Sequence, residues 1–443
     1  MPNPARSAIA VALLAALPAA SQAQQQVVRP PVAQYWMDVA THSIAGMPEM
    51  PGMGAMMPSF MGGGSGANAW GNTRGMAPGR WLDLALHVRT RPAGVDAQHT
   101  IPPGMRMGAS LPLVPLKPAA PAPRERDTTD YERETPERPS GRILIYWGCG
   151  ESVRPGQPTI IDLATAGPAE FGRALGGRHV PERGPRIGPG YSLWPNETHR
   201  NPVPREASLN GDHSVSGDGV PGSLRFAIGQ QQDFMPPIDL ATSGSPQDSI
   251  ALQWPANPSA RAHYLHAMGN VGKDMVLWSS AEVPDTGMGL FDYLANATID
   301  RWLGDRLLLP AAQTRCAIPK GIFAGGNDSG GMLRMISFGN ELNLVHPPRP
   351  ADPKQPWDQE WTARVRVKAT TMAMLGEESS APARRRGAPA RSDSQAPSAP
   401  QQSAGQPQQP QAQPQEGSTP MPAIPGIPGS GRALDAIRGI FGR

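Results

Sequence analysis

Cysteine is nearly absent from this chain of 443 residues: Cys149 and Cys316 are all it has. Two cysteines so far apart exclude a disulfide-dense miniature scaffold, a four-cysteine zinc site and a C-x-x-C redox pair. Long apolar runs are missing as well. Beyond an opening run from Ala8 to Ala20, no stretch reaches the ~18 residues that a membrane-spanning helix needs. Lysine is scarce, five against 35 arginines, and the formal net charge is only +3, too little for a general nucleic-acid binder.

What is present begins with an address. The opening MPNPARSAIAVALLAALPAASQAQQQ carries Arg6, an apolar stretch too short to span a bilayer, and small residues at Ser21 and Ala23. That is the pattern of a secretory signal, residues 1–23, with cleavage expected after Ala23. Export to an oxidising compartment, the periplasm first, with the cell surface or the medium as alternatives, makes a Cys149–Cys316 disulfide the natural expectation. Such a bridge would close more than 160 residues and contribute about 4–5 kcal/mol through the denatured state.

The 53 prolines and 50 glycines break the rest into short pieces. QYWMDVAT (34–41) and RWLDLALHVR (80–89) alternate like strands and are expected to pair. With the Met- and Gly-rich loop between them (43–79) they form an amino-terminal β region, 24–117. A charged, Pro-rich linker follows at 118–141. The main β domain, 142–375, carries strand signals at RILIYWGCG, PTIIDLAT, SLRFAIG, IALQW, MLRMISF and WTARVRVKATT. It also holds a hairpin of HYLHAM and KDMVLWSS around GNVG, and one short helix near Leu290–Leu303. A Pro- and Gln-rich tail, expected to be disordered, fills 376–430, and an amphipathic segment closes the chain at 431–443. Apolar-Asp-apolar-Ala recurs as MDVA, LDLA, IDLA and IDLA, which points to similar strands.

Many short strands and one helix imply an all-β, sandwich-like fold. IALQWPANPSARAHYL resembles the B-to-C strand region of fibronectin type III sandwiches, with Ile250, Leu252 and Trp254 alternating and Tyr264 ten residues after the tryptophan. The resemblance covers some fifteen residues, lacks that family's later corner tyrosine, and implies an immunoglobulin- or fibronectin-like sandwich without any activity.

Several constellations suggest chemistry. Met47, Met50, Met53 and Met56 recur every third residue, with Met57 and Met61 following, and thioethers select Cu(I). The plainer account is a pliable loop packing on a β surface or a partner, with no cofactor. GGNDSGGM resembles the GDSGGP around the nucleophile of chymotrypsin-like serine proteases, with Ser329 in its place. It departs at Asn327 and Met332, and no histidine lies in that family's setting for a base, so a turn is expected. Asp212, His213 and Ser214 are consecutive, so their side chains point apart, and a solvated loop is the expectation. His263 and His266, three apart on a strand, face opposite ways. Arg364, Arg366 and Lys368 alternate with apolar residues as an exposed basic row, one that grips an anionic envelope polymer or keeps the strand from pairing. RALDAIRGIFGR, from Arg432, is amphipathic and suits peripheral membrane contact or docking through 433–443. Together these readings point to an exported envelope module without catalytic activity, with a periplasmic copper-binding protein and a hydrolase of unidentified site as alternatives.

Overall fold

A computed structural model describes residues 26–47, 68–90, 95–116, 140–167, 169, 170, 172, 178–181, 184–325 and 330–375. The expected signal sequence (1–23), most of the expected linker (118–141), the tail from 376 and the expected amphipathic segment (431–443) lie outside the described residues.

The strands, in chain order, are β1 (Val28–Arg29), β2 (Ala33–Ile44), β3 (Gly79–Val88), β4 (Ala97–Thr100), β5 (Ser110–Pro115), β6 (Arg142–Trp147) and β7 (Thr159–Asp162). There follow β8 (Tyr191–Trp194), β9 (Gly211–Gly217), β10 (Arg225–Ile228), β11 (Ala241–Ser243), β12 (Ile250–Gln253), β13 (Ala260–Val271) and β14 (Asp274–Ser279). The last are β15 (Leu309–Pro310), β16 (Arg315–Ile318), β17 (Gly331–Gly339), β18 (Leu342–His346), β19 (Trp357–Asp358) and β20 (Trp361–Leu375). A helix, α1 (Asn296–Gly304), precedes β15.

The fold is all-β and sandwich-like. One large sheet runs β10-β9-β4-β5-β8-β3-β2-β20-β17-β13-β14-β6-β7, with β15 on β13 and β18 on β20, and a small sheet runs β11-β12-β16. The expected pairing of the first two long strands is seen: β2 and β3 are antiparallel from Ala33↔Val88 to His42↔Gly79. So is the hairpin, with β13 and β14 antiparallel to the pair Val271↔Asp274 and the turn at Gly272 and Lys273. Gly272 has φ +61, which glycine adopts without strain. The helix is shorter than its sequence signal, because Leu290 and Leu294 pack from the irregular segment before it.

β2 and β20 form the middle of the large sheet, parallel, with Ala33↔Trp361 through Ile44↔Met372 in register. Strands from both sides of the 118–141 stretch thus share one hydrogen-bonded sheet. The main core lies on one face, where Met37, Val39, Leu84, Leu265, Val365 and Val367 meet the small sheet (Leu252, Ile318) and the curled end at β4, β9 and β10. On the other face, Tyr264, Ile336 and Phe338 are covered by Leu290, Leu294, Ile299 and Trp302. The central strands are therefore buried on both faces, where sequence alternation points to one.

That second covering corrects the expectation for the basic row. Arg366 and Lys368 are 2% and 1% exposed, and only Arg364 remains partly open. The alternation in WTARVRVKATT is real, but the face expected to meet solvent meets the 3-10 turn at Asn72–Arg74, which adds the cation of Arg74, and the 285–293 segment, whose Asp292 carboxylate and Tyr293 ring face the cations. Asp212, His213 and Ser214 are likewise not in a solvated loop: they lie on β9, and His213 is buried.

Candidate functional site

The charged face of the central strands is the densest cluster of perturbed titratable groups among the described residues. Strand alternation places Asp38 and His42 of β2, Asp83 of β3, and Arg364, Arg366 and Lys368 of β20 on that face. Asp38 and Arg366 meet in a bidentate pair, Nε to Oδ1 at 2.7 Å and Nη2 to Oδ2 at 2.6 Å. Arg74 reaches Asp38 Oδ2 at 3.3 Å and Asp292 Oδ2 at 3.2 Å. Lys368 Nζ donates to the Phe291 carbonyl at 3.3 Å and stands 3.8 Å from Asp292 Oδ1. The Tyr293 ring lies 4.5 Å from both the Arg366 and the Lys368 cations. A Cβ on Gly184 (φ +84) would sit 2.5 Å from the guanidinium nitrogens of Arg366 and Arg74, so glycine is what lets the chain pass there.

The electrostatics follow from enclosure. Burial lowers the Lys368 pKa to about 8, against the pull of Asp292. His42, fully enclosed with Lys368 nearby, is driven down to about 3, and its Nε2 faces the main chain of Asn72 and Thr73 without a hydrogen bond of normal geometry. Asp83 stands directly opposite Asp38 across the β2–β3 ladder. Two ionised carboxylates opposed in this way repel. Asp38 is paired with Arg366, and the Asp83 carboxyl is raised to about 7, by burial first and by the neighbouring Asp38 in addition. Thr73 works against that rise, its hydroxyl donating to Asp83 Oδ2 at 2.5 Å, while Oδ1 has no partner.

A prediction follows for Asp83. Between about pH 4 and pH 7 the unfolded carboxyl loses its proton while the folded one keeps it, so this group's contribution to stability falls as pH rises through that window. About three pKa units correspond to ~4 kcal/mol, and a buried amide returns ~1–3 kcal/mol of that as its own cost. Asp83→Asn is therefore expected to stabilise the protein by about 1–3 kcal/mol at pH 8 and to remove the falling component between pH 4 and 7. Urea unfolding of both proteins across that range measures it, and identical pH profiles would refute it.

A second buried polar group lies on the opposite face. The Tyr35 hydroxyl donates to His99 Nδ1 at 2.8 Å, His99 Nε2–H to His213 Nδ1 at 3.0 Å, and His213 Nε2–H to the Leu209 carbonyl at 2.7 Å. The carbonyl can only accept, which fixes both tautomers and the direction of every bond. Phe226 stacks on His213 at 5.5 Å. The chain ties β2, β4 and β9 together and stays neutral, since burial lowers both histidine pKa values.

His263 and His266 do face opposite ways. His263 bonds Ser337 Oγ at 2.8 Å, while His266 packs by Phe291. Cys149 and Cys316 are joined by a disulfide, with Cα atoms 5.0 Å apart. Met47 lies just past the end of β2, exposed, whereas Met50, Met53, Met56, Met57, Met61 and Ser329 lie outside the described residues. Among the described residues, no group of three or more His, Cys, Asp or Glu is placed to hold a metal, and no helix is long and apolar enough to cross a membrane.

Sequence reasoning missed the charged cluster and the histidine chain, both of which join residues far apart in the chain. The signal for the first was present: MDVA and LDLA supply Asp38 and Asp83, and VRVK supplies their cations. Asp38 and Arg366 satisfy each other, and the aromatic and glycine cover leaves the group closed. No protein-family model, curated protein or solved structure matches this chain, and its function has to be argued from these residues alone.

Proposed function

We propose that this is an exported protein of the bacterial envelope, in the periplasm first of all, acting as a non-enzymatic β-sandwich module for structure or interaction. The observation that carries the reading is the internal pairing of the charged layer. Its best-placed acid, Asp38, accepts from Arg366 and Arg74, and at 1% exposure has no free approach for a substrate. The disulfide supports export, because such bridges persist in oxidising compartments. The Pro- and Gln-rich tail and the amphipathic residues 433–443 give the module a tether to an envelope protein or to the membrane surface.

Fractionation tests this. The full-length chain is expected to sediment with the envelope fraction, and truncation after Gly376 to release most of it as soluble protein. Equal sedimentation of the two forms would remove the tether, and a full-length chain recovered in the cytoplasm with free thiols would remove the export reading altogether. A second reading, a periplasmic copper-binding protein using Met47, Met50, Met53, Met56, Met57 and Met61, is supported by the exposure of Met47 at the end of β2, where that run begins.

A further inference from the structure

At the end of the charged face the polar residues give way to sulfur. The β13–β17 register sets Met268 opposite Met332, and the β17–β20 register sets Met332 opposite Met374. Directly opposed residues of neighbouring strands share a face, so the three thioethers form a row across three adjacent strands. None of the three is fully buried: Met268 and Met332 are partly covered, and Met374 is 50% exposed. β2 ends with Ile44 opposite Met372, and the chain turns there, Met47 N–H donating to the Ile44 carbonyl at 3.1 Å and its side chain 45% exposed.

Opposed Cβ atoms stand about 5 Å apart, a gap that methionine's three rotatable side-chain bonds can close around one ion. The surroundings favour a soft one. His266 lies two residues before Met268 on the same face, is 3% exposed, and has neither ring nitrogen in a hydrogen bond of normal geometry. Arg334, opposite His266 on β17, lays its guanidinium 3.7 Å from the centre of the Phe291 ring on which His266 also packs, so this cation belongs to the His266 row, one position removed from the thioethers. No carboxylate lies on the Met268–Met332–Met374 row, or on the Met372–Arg334–His266 row beside it, to recruit a hard ion.

We propose that Met268, Met332 and Met374 form a surface site for a soft monovalent ion, Cu(I) or its analogue Ag(I). The site shares no residue with the Met47–Met61 run and stands whether or not that run binds copper.

Silver is the probe, because both cysteines are bridged and no free thiol competes for it. The full mature chain, carrying labelled methionine methyl groups, is titrated with Ag(I) and followed by NMR. The methyl signals of Met268, Met332 and Met374 are expected to shift together and to saturate at one equivalent. Met332→Leu preserves volume and apolar character. It is expected to weaken silver binding, read at Met268 and Met374, at least tenfold. Absence of any shift in these three signals overturns the proposal, as does unchanged affinity in Met332→Leu. Shifts confined to the methionines of the 47–61 run overturn it too, while upholding the copper reading of that run.

Discussion

Asp38→Ala is expected to lower the unfolding free energy by about 3–5 kcal/mol, the usual cost of leaving a buried charge without its partner. Arg366 would remain, 2% exposed, with its two short hydrogen bonds gone, and Arg74 would lose one of its carboxylates. Asp292 and the Tyr293 ring stay near Arg366 but cannot replace a bidentate acceptor. Denaturant unfolding followed by tryptophan fluorescence measures the loss, and a change under ~1 kcal/mol, as for an exposed ion pair, would refute it. The double replacement Asp38→Leu with Arg366→Met supplies the contrast. It removes both charges and keeps apolar volume, so most of the lost stability should return.

Acidification is expected to act more broadly still. His42, His266 and His263 have pKa values lowered to about 3, 3 and 4, in each case by burial first. Burial also holds His99 well below its ordinary value, and His213 is lowered too. A group whose folded pKa is depressed contributes stability above its unfolded value, here 6.5, and loses it as pH falls toward the folded value. By pH 4 each of the first three histidines accounts for about 3 kcal/mol, together on the order of a domain's whole stability. Asp83 acts in the opposite direction through the same window, but it is one group against several. Near-ultraviolet circular dichroism should show the native signal collapsing between about pH 6 and pH 4. A native spectrum persisting at pH 3.5 would refute the account.

How much of this was legible beforehand depends on where each partner lies in the chain. The β13–β14 hairpin was readable because its strands are neighbours and its turn carries glycine. β2 and β3 were readable as a pair because QYWMDVAT and RWLDLALHVR each alternate over at least eight residues and fall on strands of 12 and 10 residues. The exposed basic row failed for a definite reason: alternation tells two faces apart and does not say that one of them is dry. Lys368 is buried because Phe291, Asp292 and Tyr293 cover it, and nothing in the sequence around residue 291 announces a lid over a strand some 77 residues later. The histidine chain was hidden in the same way, since Tyr35, His99 and His213 come from three separate stretches. Only after β4 pairs with β9, His99↔Val215, do the two rings come close enough to share a proton.

The parallel pairing of β2 with β20 has a consequence for when the molecule can become itself. Asp38 and Arg366 are 328 positions apart, and every residue of the β2 ladder toward β20 waits for a partner made near the end of the described chain. During synthesis from the amino terminus, β2 and β3 can meet early, but the middle of the sheet stays open until residues 361–372 exist. Closure across so long a separation is slow and exposes apolar strand edges meanwhile. The nascent chain is thus kept unfinished by its own wiring, and the cluster around Asp38 acts as the clasp fastened last.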